Sequence, residues 1–139
     1  MTALDMTDWP LVYVAGPYSN DPTGNTRIAI KWAEQLALLD VVPVVPHLSM
    51  LWDFYTPHPV EWWYAYDLAI LARCDALFRL RGESAGADRE VAFAHERGIP
   101  VFSVLDINGH FNGQRFHQWR RSWTPTGRYP QATPPKVAR

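Results

Sequence analysis

Two acidic residues set the first chemical possibility in this 139-residue chain. Glu90 directly follows Ser84-Ala-Gly-Ala-Asp-Arg89, a small-residue stretch that opens into a helical pattern. A carboxylate in the first turns of a helix feels the positive end of the dipole and the free amides, which favour the anion. Held ionised there, Glu90 is a ready nucleophile; the alternative is a charge that only complements the helix N-terminus. Asp67 lies within Trp62-Trp-Tyr-Ala-Tyr-Asp-Leu-Ala-Ile-Leu71. Partial burial among such neighbours raises a carboxyl pKa and lets it hold or donate a proton near neutrality, whereas on the polar helix face it is an ordinary exposed aspartate. Tyr13 is the polar-tipped residue of the run Leu11-Val-Tyr-Val-Ala15. Its hydroxyl either reaches a catalytic carboxylate or bonds to backbone inside the core. Asp88 reads first as a helix-capping residue, and Asp75 as a turn residue before a strand.

Other chemistries find less support. His47, His58, His95, His110 and His117 form no H-x-x-x-H pair, and Cys74 has no histidine nearby in sequence. Neither a metal centre nor a thiol nucleophile is expected. No G-x-G-x-x-G and no Walker A loop occurs, which removes the usual dinucleotide and NTPase signatures; no cofactor is expected.

These residues must be positioned by a scaffold. Leu11–Ala15 reads as a buried strand stopped by Gly16-Pro17. The loop 18–25 is rich in turn residues, and Ile28, Trp32, Ala33 and Leu36 recur at helical spacing to about Leu39. Val41–Val45 is a second strand, confined by Pro43 to a sheet edge or to the strand start. Residues 46–59 read as loop and irregular chain. A helix is expected from Val60 to Arg73, a strand over Ala76–Leu80, and a helix from Ala87 to Arg97 closed by Gly98. A last strand covers Ile99–Val104. Phe111–Trp123 is a further candidate helix, and the proline-containing stretch 124–139 reads as a tail to one domain spanning 1–123. Strands alternating with helices indicate βαβ units and a parallel sheet covered on both faces. The expected fold class is α/β, a flavodoxin- or Rossmann-like three-layer sandwich with four to five parallel strands. Ligands in such sheets bind beyond the C-terminal strand ends, here the Gly16, His47 and Gly82-to-Gly86 loops.

Composition narrows the partners. With 47% hydrophobic and 19% charged residues the chain should fold, and its net charge of −1 gives no basic field for a nucleic-acid polymer. A small molecule is the expected ligand. The N-terminus lacks the pattern of a signal peptide, no apolar run approaches membrane-spanning length, and a lone cysteine suits a reducing compartment. A cytoplasmic protein without a membrane partner is therefore expected. Aromatics reach 14%, with seven tryptophans; Trp52, Phe54, Trp62 and Trp63 can stack on a base, close a pocket, or pack in the core and at an interface.

Tyr13-Val-Ala-Gly-Pro17, Tyr66-Asp67-Leu-Ala-Ile-Leu-Ala-Arg-Cys-Asp75-Ala-Leu and Ser84-Ala-Gly-Ala-Asp-Arg-Glu90, in that order, resemble the nucleoside 2-deoxyribosyltransferase superfamily over about Leu11 to Val104. The resemblance implies cleavage of the N-glycosidic bond of 2-deoxynucleosides or their 5′-monophosphates. Glu90 becomes the nucleophile, Asp67 the proton-handling group at the departing base, and Tyr13 the neighbour of the glutamate. It also implies a substrate-binding set of Gly16, Pro17, Ser19, His47, Trp62, Ser84, Gly86 and Asp88, and a homodimer or higher homo-oligomer. Ser84, six residues before Glu90, matches the nucleotide-cleaving hydrolases and favours a monophosphate. A phosphate cradle would then draw on Ser84, the Gly16-loop amides, Ser19 and Arg81. The loop Ala15-Gly-Pro-Tyr18 departs from the Gly-Ser-Ile-Arg loop of those hydrolases, which leaves both substrates open. The competing reading from another class is a nucleotide-binding or sensing module without turnover.

Overall fold

The computed structural model describes residues 3–108 and 114–125. Four strands, β1 (Leu11–Ala15), β2 (Val42–Val44), β3 (Ala76–Arg79) and β4 (Val101–Ser103), form one parallel sheet in the order β2-β1-β3-β4. Tyr13 stands in register with Val44 on one side and Leu77 on the other. Asp75 fixes the start of this alignment: its Oδ2 accepts the Leu11 amide at 2.8 Å, while the Asp75 amide donates to Leu11 O. The residue thus acts at the strand junction, as its turn chemistry suggests.

Side chains alternate across β1 and feed two separate cores. Val12 and Val14 join Phe78 and Phe102 beneath Ala29 and Leu36 of α1 (Pro22–Ala37) and Phe116 of α6 (Arg115–Ser122). Tyr13, Ala15 and Leu77 face the opposite way, against Leu71 of α3 (Val60–Leu71) and Ala87 and Ala94 of α4 (Ala85–Glu96). The molecule is therefore an α/β three-layer sandwich. No helix among the described residues is long and apolar enough to cross a membrane.

Several boundaries differ from expectation for local reasons. Helix α1 begins at Pro22, six residues before the apolar period becomes visible, because Asp21 caps it by accepting the Gly24 amide at 3.2 Å and Pro22 occupies the first helical position. Residues Met50–Tyr55, expected to be irregular, form the short helix α2 after a 3₁₀ turn over Pro46–Ser49. Helix α3 stops at Leu71, two residues before Arg73. Helix α4 starts at Ala85 because Ser84 is its N-cap, accepting the Ala87 amide at 3.0 Å. Gly98 follows this helix at φ +70°, a left-handed conformation natural to a glycine after a helix C-cap.

The two edges of the sheet are finished differently. In β2 the Val42 amide bonds inward to Pro10 O at 2.8 Å, so Pro43 occupies the outward position of the ladder. At β4, Arg115 donates to Val101 O at 2.9 Å and pairs with Asp106 at 3.2 Å. Asp106, in α5 (Leu105–Asn108), accepts the Ser103 amide at 2.7 Å. Of the expected helix over Phe111–Trp123, residues Arg115–Ser122 are helical and 111–113 lie outside the described residues. The tail lies outside them from residue 126 onward.

Candidate active site

Parallel strands end together, and the loops leaving them enclose a cavity of about 540 Å³ at that end of the sheet. One wall is the β1–α1 loop, where Gly16 stays low because a Cβ there would meet Leu80 Cδ1 at 2.9 Å. The second wall is the 3₁₀ turn carrying His47. The third is one stripe of α3, and Val60, Trp63, Tyr64, Asp67 and Leu68 recur along it at helical spacing. The N-terminal part of α4 closes the cavity with Ser84, Gly86 and Glu90.

Glu90 is the sixth residue of α4, beyond the turn over which the helix dipole acts. Its environment differs from the anion-favouring one expected from position alone. Burial pushes the carboxyl up to about 7, nearby Asp67 adds to the rise, and the Tyr13 hydroxyl and Arg79 act against it. Tyr13 donates its hydroxyl hydrogen to Glu90 Oε2 from beneath, out of β1. Burial and the negative charges of Glu90 and Asp67 push the Tyr13 pKa upward, so it remains a donor. Asp67 is raised to about 7 by burial, and its Oδ1 is buried with no partner among the described residues. Two carboxyl groups that sense each other therefore border one cavity, both poised near neutrality.

Most of the expected binding residues come together here: Gly16, Pro17, Ser19, His47, Ser84 and Gly86 all line the cavity. His47 holds the first loop, its Nε2–H donating to Pro17 O at 3.0 Å. Burial depresses its pKa, which leaves a neutral ring whose buried Nδ1 has no partner among the described residues. Ser84 lines the cavity while its Oγ serves as the helix cap.

Two residues of the expected set lie elsewhere. Asp88 turns away to Arg79, 3.0 Å distant, with 73% of its side chain exposed. On a helix it stands two residues from both Gly86 and Glu90, so it presents a different face. Trp62 stacks on His58 at 3.8 Å and on Tyr66 at 5.4 Å and does not line the cavity. The adjacent Trp63 does, in register with Asp67 one turn on. Trp52 packs into the same aromatic cluster, and Phe54 lies exposed beside Tyr55. Arg81 is exposed and also absent from the lining.

Some lining residues were not singled out from sequence. Arg89 is the one Lys or Arg among the described residues that line the cavity, and its guanidinium lies 4.1 Å from the centroid of the Tyr64 ring. Asp53, on α2, accepts the Trp63 indole N–H at 2.6 Å and the His58 amide at 3.1 Å. The α3 stripe was readable from its spacing. Asp53 was not, because its place depends on residues 50–55 being helical. No group of three or more His, Cys, Asp or Glu among the described residues is placed to hold a metal ion.

Fold and site together define an α/β sandwich with paired carboxyl groups at the strand ends. Residues 10–104 of this chain match the model of a family described as a domain of unknown function (DUF7768), and the chain belongs to that family. No curated protein and no solved structure matches it.

Proposed function

We propose that the protein cleaves the N-glycosidic bond of a 2-deoxynucleoside or its 5′-monophosphate through a glycosyl-enzyme on Glu90. The observation that carries this reading is the meeting of Glu90, held by Tyr13, with Asp67 in one cavity, both carboxyl groups near pKa 7. Glycosidic cleavage passes through an oxocarbenium-like state, which needs an anion beneath the sugar and a proton at the leaving group. Ionised Glu90 attacks C1′, the C1′–N bond breaks, and its electron pair goes to the base nitrogen. Asp67 supplies the proton to that nitrogen. Tyr13 occupies Oε2 of Glu90 and leaves Oε1 for the sugar. Water or a second base then attacks C1′ and frees Glu90, with Asp67 taking up the proton.

The sequential likeness of the three motifs to nucleoside 2-deoxyribosyltransferases supports the same assignment. A homo-oligomer fits the exposed apolar residues Leu51, Phe54, Tyr55, Val60 and Trp62 on neighbouring α2 and α3. The test is release of free base from a panel of nucleosides and monophosphates, followed by chromatography with and without an acceptor base. Release by the wild type and a loss of at least about 10³-fold in Glu90→Ala are expected, as for removal of a nucleophile. An inert wild type, or a fully active Glu90→Ala, defeats the proposal. Ligand affinity without turnover in the wild type supports a sensing module instead.

A further inference from the structure

The proposed reaction gives no task to Asp53, one of the carboxylates that line the cavity. Asp53 uses Oδ1 twice, for the Trp63 indole and the His58 amide, while Oδ2 takes no hydrogen bond from any described residue. The two bonds and the neighbouring His58 ring hold the carboxyl below the usual range, so the side chain is an anion and an acceptor only. Its charge reaches Tyr18 on the opposite loop, where it adds to the rise that burial gives the phenol pKa. Tyr18, Trp63 and Asp53 all line the cavity. Trp63 and Asp67 are four residues apart on α3, neighbours on one face. Asp53, fastened to Trp63, therefore borders the same cavity as Asp67 on the side of the Trp63 indole. A base bound in this cavity shares it with both carboxyl groups.

We propose that Asp53 is a specificity-determining residue that selects bases carrying an exocyclic amine, its Oδ2 accepting a hydrogen bond from that amine while Oδ1 stays fixed on Trp63. This rests on reading the cavity as a nucleoside site. An oxo base turns a carbonyl oxygen toward a fixed anion, and its ring N–H is flanked by that same oxygen, so the carboxylate is repelled or left unpaired. Cytosine is thus preferred to uracil and adenine to hypoxanthine. Asparagine tests this cleanly, because its amide oxygen can keep the Trp63 and His58 bonds while the NH₂ replaces Oδ2 and converts an acceptor into a donor.

The experiment measures dissociation constants by calorimetry for deoxycytidine, deoxyuridine, deoxyadenosine and deoxyinosine on Glu90→Ala, which cannot form the glycosyl-enzyme, with and without Asp53→Asn. Each amino nucleoside is expected to bind about tenfold or more tightly than its oxo counterpart, the size of a hydrogen bond to a charged group. With Asp53→Asn the ratio should fall to near one or invert, with tryptophan fluorescence and melting temperature retained. Ratios near one before the Asp53 change, ratios unmoved by it, or no binding of any of the four overturn the proposal. Base release by the wild type separates the two claims. Release indifferent to the amine overturns the role of Asp53 and keeps the reaction, whereas an Asp53-dependent binding ratio without release keeps Asp53 and overturns the reaction.

Discussion

Three of the carboxylates that border the cavity stand in two proton states: two hydrogen bonds keep Asp53 ionised, whereas burial brings Asp67 and Glu90 up to about 7. The last two interact, so their titration belongs to the pair rather than to either residue. A reaction needing one of them ionised and the other protonated then gives kcat/KM a bell centred near pH 7, falling about tenfold per pH unit on each side. Asp67→Asn should remove the alkaline limb, because amide substitution leaves no acid to lose, and should lower the maximum by about 10²-fold or more. A pH–rate series on both proteins measures this, and an unaltered alkaline limb in the variant assigns that limb to another group. Residue type and neighbours in the sequence singled out Glu90, Asp67 and Tyr13, which the structure brings together. The sequence misread the proton state of Glu90, since dipole and burial push the pKa in opposite directions and their balance is set by packing from β1 and α3. The same dependence hid Asp53 and misdirected Trp62 and Asp88, whose helix faces only the true helix phase decides.

The elements were easier to read than the site because hydrophobic period reports burial directly. Strand β1 agreed to the residue, Pro43 correctly pointed to an edge, and Gly98 to a helix end. The errors fall at element ends and at the short helix α2, and two of them are helix starts. Asp21-Pro22 and Ser84 are capping signals that resemble loop chemistry when the apolar period has not yet begun. The Ser84 cap holds the start of α4, the helix that carries Glu90 to Tyr13. Ser84→Ala should cost about 1 kcal/mol of stability by denaturant unfolding. If α4 frays, kcat should fall more than KM rises; equal stability in the variant shows that the cap contributes nothing.

For the whole molecule, burying two carboxyl groups that prefer a proton links folding to pH. The folded pKa values lie near 7, above the ordinary values of 4.5 for Glu90 and 3.8 for Asp67. The stabilising effect of protonation is therefore fully present below pH 4 and is lost as pH rises through 7. Glu90→Gln keeps an acceptor for Tyr13 and carries no charge, so it should be more stable than the wild type at pH 8 by about 1–2 kcal/mol, with little difference at pH 4. Thermal melts across pH 4–9 give the comparison, and parallel curves for both proteins would mean that Glu90 ionises alike in the folded and unfolded chains. The finishing of the sheet edges acts at this scale too. Pro43 offers no amide on the outward side of β2, while Arg115 and Asp106 occupy the outward carbonyl of Val101 and amide of Ser103. A foreign strand arriving at either margin finds no continuous row of partners to template on, so the native sandwich resists growing into cross-β fibrils through its margins even when crowded.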